Sequence, residues 1–251
     1  MDDLARAQAF MARLDDRSVE RVVPFAHGVA LFHDRLALVH DLNYLRVTER
    51  VGATALTAEA ERLQATLPHR FARVCDADHG RRLAPSLRRR GWQVQRHLVM
   101  VHRREPDREP RAAAEEVSGD ELVPFWEQNT RLNPWGRDEE VVRQLVEERR
   151  ARERAVDVRH FAARVRGRVA ASCDLHLDGG EAQVEMVQTL PSYRGRGLAR
   201  AVVVAAVETA AAAGARFVFL VTDAGDWPRH LYGRLGFDPA GVYYRFVKSP
   251  A

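Results

Sequence analysis

The chain has 251 residues, long enough for one large domain or two ordinary ones, and its 46% hydrophobic content excludes a disordered protein. With 39 Lys+Arg against 35 Asp+Glu the net charge is only +4, and acids and bases are interleaved, as in "RDEEVVRQLVEERRARERAVD", which argues against a nucleic-acid partner. Cys75 and Cys173 lie far apart in no CxxC pattern, and the histidines show no HxxxH or HExxH spacing, so two reduced thiols and no metal site are expected.

The N-terminal stretch "MDDLARAQAFMARLDDRSVERV" carries charges throughout and lacks the apolar core of a signal peptide. A cytoplasmic protein is expected. "GVALFHDRLALVHDLNYLRV" then predicts strands, "TAEAERLQATL" a helix capped by Thr57, and "RFARVCD" a strand. The next stretch, "RRLAPSLRRRGWQVQRHLVMVHR", can be set beside "WPRHLYGRLGFDPAGVYYRFVKS" near the C-terminus. Gly91-Trp92 matches Gly236-Phe237, Arg89 matches Arg234, and a strand follows in both, a short internal repeat. His102 to Glu115 is charged, contains Pro106 and Pro110, and has no apolar periodicity. It predicts a linker between two domains, 1–104 and 113–251.

In the second half, "SGDELVPFWEQNTRL" predicts an amphipathic helix with a capping box, Ser118 with Glu121 three residues on. "RDEEVVRQLVEERRARE" predicts a second, strongly charged helix. "HFAARVRGRVAASCDLHLDGGEAQVEMVQTL" predicts three strands turning at Gly167 and at "DGG". "GLARAVVVAAVETAAAAG" predicts a helix ending at Gly214. "RFVFLVTD" reads as a buried central strand, "DWPRHLYGRLGF" as a short helix entered through Asp226 and Pro228, and "GVYYRFVK" as a closing strand. The longest apolar run is interrupted by Glu208, Gly214 and Arg216, so it predicts core rather than a membrane span. The expected class is α/β or α+β, a mixed sheet flanked by helices.

The segment between strand "AQVEMVQTL" and the following helix is "PSYRGRG". Glycines at 195 and 197 leave backbone N–H groups open to a ligand, and the first turn of a helix offers unpaired N–H groups and a positive dipole end. Such a junction seats phosphate, and Arg194 and Arg196 add cationic character. Neither GxGxxG nor GxxxxGK[ST] is present, which removes the dinucleotide and P-loop readings.

Arg194-Gly195-Arg196-Gly197-Leu198-Ala199 resembles Q/R-x-x-G-x-G/A, the acyl-CoA pyrophosphate motif of the GNAT N-acetyltransferase superfamily. "EMVQTLPSYRGRGLA" is similar to that superfamily's fourth strand and its exit, and "LYGRLGF" to its second signature. The resemblance covers Leu122 to Lys248. It implies a GNAT fold with a mostly antiparallel sheet and, given the internal repeat, two GNAT-like domains in tandem, the N-terminal one degenerate and lacking a CoA site. Leu87 falls there where Tyr232 would be.

The activity implied is acetyl-CoA-dependent transfer of an acetyl group to a primary amine of a small molecule or peptide, by a monomer or homodimer. Acetyl-CoA would be held by Val187, Gln188 and Thr189, the stretch where the family's fourth strand splays from its neighbour at a bulge and exposes its backbone polar groups, and by Arg194, Gly195, Arg196, Gly197, Leu198 and Ala199. Tyr232 is the acid candidate, since a phenol stays protonated at neutral pH and can donate to a departing thiolate. Glu185 is the base candidate: a lone carboxylate in an apolar-leaning strand, on the same face as Gln183, acting through a water. Trp126 and Trp135 fall where the family builds its acceptor wall, and Trp227 near Tyr232, although tryptophans there also serve as core. Asp174 and His176 are weaker acceptor-side candidates. Asp226 stands where family members often carry asparagine. The alternatives are a non-catalytic acyl-CoA-binding regulator on the same fold and an RNA-contacting Arg/Gly segment.

Overall fold

The computed structural model describes residues 2–249. The chain forms two compact units. The first comprises the residues up to Val99, Asp223–Gly225 and the residues from Gly241; the second comprises Met100–Thr222 and Asp226–Ala240.

The first unit opens with helix α1 (Asp3–Ser18), capped by Asp2, whose side chain accepts from Ala5 N at 2.7 Å. The charges of this stretch conceal a helical stripe: Ala7, Phe10, Met11 and Leu14 recur at 3–4-residue spacing and are buried. Strands β1 (Arg21–Phe25), β2 (Gly28–Phe32) and β3 (Tyr44–Val47) follow. The strands expected between residues 28 and 47 are separated by two 3₁₀ turns, at Asp34–Leu36 and His40–Leu42, held by Asn43, whose amide donates to Leu36 O and Val39 O. Helix α2 (Ala53–Leu63) starts earlier than Thr57 predicts. Its N-cap is Gly52, and Thr57 lies inside the helix with its hydroxyl bonded back to Ala53 O at 2.8 Å. Strand β4 (Arg70–Val74), helix α3 (Ala77–Arg89) and strand β5 (Gln93–His102) complete the first pass.

The second unit holds β6 (Glu115–Val117), α4 (Gly119–Arg131), α5 (Glu139–Ala155), β7 (Asp157–Val165), β8 (Arg168–Asp178), β9 (Glu181–Thr189), α6 (Leu198–Ala212), β10 (Phe217–Asp223) and α7 (Pro228–Arg234). The last strand is β11 (Phe237–Lys248). The capping box on α4 forms as expected, Ser118 and Glu121 bonding each other's backbone N–H groups. The hairpins turn at Arg166-Gly167 (φ 51° and 79°) and Gly179-Gly180 (φ 59° and 82°), the positive pairs that a two-residue turn between antiparallel strands requires.

Among the described residues the strand order is β1-β2-β3-β4-β11-β5 in the first unit and β10-β9-β8-β7-β6 in the second. The β3/β4 and β9/β10 ladders are parallel, joined through α2 and α6; β1/β2, β2/β3, β4/β11, β6/β7, β7/β8 and β8/β9 are antiparallel. The architecture is therefore a mixed, mostly antiparallel α/β fold.

Two features depart from a plain division at the proline-containing segment. The C-terminal strand pairs with β4 from Tyr244↔Val74 to Lys248↔Arg70, so it satisfies the ladder groups on that side of β4 and clusters with the first unit. The segment after β5, although irregular, is docked. Asp107 N donates to Arg234 O at 2.8 Å, and the buried Arg200 of α6 reaches Asp107 at 2.7 Å and Arg108 O at 2.9 Å. Its prolines keep it out of regular structure, and one long cation ties it down.

The first unit's core centres on Leu45, Val47, Leu56, Val74, Leu87, Trp92 and Phe246. In the second, Leu122, Phe125, Trp126, Ala162 and Leu190 pack together.

Candidate functional site

The site is built on β9. Asp174 of β8 stands opposite Glu185, and Ser172 opposite Gln188. Between these pairs β8 has one residue, Cys173, and β9 has two, Met186 and Val187. This is a β-bulge, and Met186 takes the positive φ of 52° that accommodates the extra residue. Its side chain is turned out to solvent, 39% exposed.

On its other side β9 runs parallel to β10 from Glu181↔Phe217 to Val184↔Leu220, where the ladder ends. From Glu185 onward the two strands part. The backbone polar groups that Glu185–Thr189 would have given to β10 are not used in that ladder, and an extended ligand with its own amide groups could satisfy them. Val187, Gln188 and Thr189 are half-buried along this stretch.

Beyond it, a 3₁₀ turn at Pro191–Tyr193 leads to the glycine-rich junction. Gly195 (φ 76°) and Gly197 (φ 79°) both lie in the left-handed region, with no other group within 4 Å of where a Cβ would stand. Gly197 is the N-cap of α6, so the first-turn N–H groups beyond it open onto that cleared space. Leu198 is buried and pins the start of the helix, and Ala199 is half-buried. Arg194 and Arg196 are exposed. Arg194 Nε donates to Thr189 O at 3.3 Å, and Arg196 lies 5.4 Å from the Tyr193 ring centroid, so both cations stay beside the turn. A pyrophosphate-bearing ligand fits this cradle, since a Cβ at either glycine would occupy the approach. Gly197→Val is expected to weaken acetyl-CoA binding at least tenfold, by filling that space and by forcing a β-branched residue to φ 79°. Calorimetry on the folded variant checks this; unchanged affinity would reduce the motif to a turn.

Tyr232 lies on α7, 7% exposed, its ring edge-on to Phe237 with centroids 6.3 Å apart. Burial, and then the negative charges of Glu185 and Asp226, push its phenol well above the usual tyrosine value. The hydroxyl thus keeps its proton at any physiological pH. Glu185 is half-buried on β9. It accepts hydrogen bonds from the Gln183 side-chain amide and, at 3.3 Å, from Met186 N. Alternation placed Gln183 and Glu185 on one face, and their bond shows that they share it.

The face of β8 and β9 turned toward α4 and α5 is polar: Ser172, Asp174 and His176 on β8, Gln183, Glu185 and Gln188 on β9. Asp174 is 2% exposed. Arg149 of α5 holds one of its oxygens at 2.5 Å and His160 Nδ1 the other at 2.8 Å; His160 Nε2 continues to Glu153 at 3.0 Å. Burial alone would raise the Asp174 carboxyl, but the Arg149 charge and the His160 bond hold it below the usual aspartate range. Burial likewise lowers His160, and Asp174 more than restores it, leaving it raised. His176, fully enclosed, is pushed down to about 4 and stays neutral.

Trp126 is core, 2% exposed, with the Arg149 guanidinium 4.4 Å above its ring. Trp135 and Trp227 are exposed, at 53% and 61%. Asp226 accepts from Trp227 N at 2.6 Å. Arg149 was not singled out by its sequence context, a helix full of arginines, and only its burial distinguishes it. Among the described residues, no group of three or more His, Cys, Asp and Glu is arranged to hold a metal, and no helix is long and apolar enough to cross a membrane.

Residues 122–237 match the family model described as Acetyltransferase (GNAT) family. No curated protein matches the sequence. Among solved structures, a conserved protein of unknown function from Staphylococcus epidermidis ATCC 12228 is similar with a TM-score of 0.71 at 14% identity, over 94% of this chain and 96% of that one. A GCN5-related N-acetyltransferase from Kribbella flavida gives 0.63 at 18% identity, over 99% and 96%. A tandem GNAT protein from the clavulanic acid biosynthesis pathway gives 0.55 at 17% identity, over 82% and 75%. At these identities the likeness is one of fold, and a degenerate N-terminal GNAT-like half is consistent with it.

Proposed function

We propose, from the match of residues 122–237 to the GNAT acetyltransferase family model, that the protein is an acetyl-CoA-dependent N-acetyltransferase acting on a primary amine of a small molecule or peptide. One observation carries the reading. The bulge at Met186, the end of the β9/β10 ladder at Val184 and the open glycines at 195 and 197 follow one another along a single strand–turn–helix. Together they make a backbone-lined path that ends in a phosphate cradle.

Acetyl-CoA supplies the acetyl thioester. The backbone of Gly195–Ala199 would hold its pyrophosphate, with Arg194 and Arg196 beside it, and Val187, Gln188 and Thr189 would lie along its arm. An N–H in Val187–Thr189 polarises the carbonyl oxygen. Glu185 takes a proton from the acceptor nitrogen through a water, the new C–N bond forms, and the C–S bond breaks. Tyr232, held neutral by burial, donates its proton to the departing sulfur.

A thiol-release screen with acetyl-CoA against polyamines, amino acids, antibiotics and N-terminal peptides tests the activity. Turnover of an amine supports it. Acetyl-CoA binding without turnover across the panel supports a non-catalytic acyl-CoA-binding protein instead.

The first unit has the corresponding strand–helix junction between β3 and α2, but it carries one glycine, Gly52, where the other carries two. Val51 is buried there, and His79 Nε2 lies 2.9 Å from its carbonyl oxygen. Its N-cap, Gly52, sits at φ −81° rather than in the left-handed region. One acetyl-CoA per chain is therefore expected by calorimetry; a stoichiometry of two would overturn the degenerate-half reading.

A further inference from the structure

We propose that the side of α6 facing the segment after β5 carries a second binding site, for a small ammonium ion with an alkyl or aryl body. Its place is a cavity of about 260 Å³ between the C-terminal part of α6, the start of β10 and that segment.

The sequence of α6 sets the cavity up. Val202, Ala206 and Ala210 recur at four-residue spacing and are buried, and Val202 O accepts from Cys173 Sγ of β8 at 3.2 Å, so this stripe packs on the sheet. Val203, Val207 and Ala211 form a neighbouring stripe, rotated by about 100°, and line the cavity with Val218 of β10 and Leu235. A helix apolar on two stripes needs a second cover. The segment after β5 supplies one through Pro106, tied down by the bonds from Arg200 to Asp107 and Arg108 O. The cover is incomplete for two reasons. Its prolines keep a regular element from forming over α6, and the methyl groups of Ala211 and Ala215 are too short to fill the gap from the other side. Apolar walls that lack partner atoms forgo dispersion energy, which an apolar ligand restores. From Val203 to Ala211 the lining lies about 9 to about 21 Å along the helix from Gly197, so the cavity is separate from the glycine-rich junction.

The rim decides the class of ligand. Glu105 and Glu109 reach it from the segment, Glu208 from α6 and Arg216 from the residue before β10, so three carboxylates stand against one guanidinium. His102 also lines the cavity. Burial lowers its pKa by more than the Glu105 charge restores, and its ring lies edge-on to Phe237 with centroids 5.1 Å apart, so it adds no cation. Two nearby arginines are spent on other acids, Arg104 on Asp238 and Arg200 on Asp107, each at 2.7 Å, and Arg103 and Arg108 lie outside the lining. An apolar floor under a rim with a surplus of carboxylates fits a hydrocarbon body bearing a cation and disfavours a carboxylate or phosphate. The volume, just under the roughly 300–1,000 Å³ of most ligand pockets, sets the size as small.

The test is a methyl titration. The full chain is labelled with 13C at its valine and leucine methyls, and n-hexylammonium is added, with n-hexanol and hexanoate as neutral and anionic controls of the same length. Saturable shifts are expected at Val207, Val218 and Leu235, with a Kd of about a millimolar for the ammonium. Binding should be about threefold weaker for the alcohol and about tenfold weaker for hexanoate. Glu109→Gln with Glu208→Gln should weaken the ammonium about fivefold and leave the alcohol within about twofold. Val207→Trp fills the cavity and should remove the shifts at Val218 and Leu235. If it does not fold, Ala211→Trp, at an exposed position on the rim, carries the same comparison. The proposal is overturned by the absence of saturable shifts at these methyls, by shifts confined to Val184 and Val187 of β9, or by equal affinity for the ammonium and the alcohol.

Discussion

Replacing Tyr232 with phenylalanine is expected to lower kcat by about tenfold to a thousandfold, the range for a lost general acid. The substitution removes one oxygen and keeps the ring. The ring is 7% exposed and edge-on to Phe237, so its packing survives. What is lost is a proton donor. Burial and the neighbouring charges of Glu185 and Asp226 keep the phenol protonated, which suits a donor and disqualifies it as a base. Acetyl-CoA affinity should barely change, because the site proposed for its pyrophosphate is the β9–α6 junction and the loss is confined to the transition state. The drop should shrink with an acyl donor whose thiol is more acidic, since its thiolate needs less protonation. Full turnover by Tyr232→Phe on an identified amine would make Tyr232 a packing residue and leave water as the acid.

Asp174→Ala is expected to lower stability by about 3–5 kcal/mol, the cost of leaving a buried charge without its partner. Arg149, its side chain 9% exposed, would lose the oxygen it holds at 2.5 Å, and His160 would lose the bond to its Nδ1. The double variant Asp174→Leu with Arg149→Met should recover most of the loss, because replacing both partners of a buried pair is often neutral. The pH dependence has a defined sign. Asp174 is depressed in the folded state, so its contribution is complete above the ordinary aspartate value of 3.8 and is lost as pH falls through the lower folded value. His160 is raised, so its contribution is complete below its ordinary 6.5 and is lost as pH rises through the folded value. Denaturant titrations should show the wild-type advantage over Asp174→Ala greatest between about pH 4 and 6.5 and smallest in strong acid. A loss below about 1 kcal/mol would mean that solvent reaches Arg149 and screens it.

Much of the fold follows from short-range rules. The capping box at Ser118 and Glu121, the turns at Gly167 and Gly179-Gly180, and the end of α6 at Gly214 each depend on a few neighbouring residues, and each stands where those residues predict. The same holds for the glycine-rich junction. Gly195 and Gly197 adopt the left-handed conformations that their lack of a side chain allows, whatever the rest of the chain does. Thr57 shows the limit of such rules. A threonine ahead of a helical pattern is a fair cap, but the hydrophobic contacts of Leu56 and Ala60 extend α2 past it, and its hydroxyl turns back onto Ala53 O. The charged N-terminal stretch hides α1 for a related reason: its four buried apolar positions show only against a partner that supplies the apolar face.

The amino-acid sequence by itself determined the class of fold, most of its elements, the left-handed glycines of the β9–α6 junction and the helix bearing Tyr232, because each rests on conformational preferences that act within a few residues. The tertiary structure alone decided four things. It set the exact place of the bulge, at Met186 and Val187, which the family resemblance implies only as a splayed stretch over Val187 to Thr189: no glycine signals a positive φ there, and the register of β8 against β9 imposes it. It set the parting of β9 from β10 after Val184, a relation between strands separated by a whole helix. It brought Arg149 to Asp174 across 25 residues, and it put the C-terminal strand beside β4. Each of these depends on burial and ladder pairing between residues distant along the chain, where the free energy belongs to the pair and neither member's own sequence context carries it.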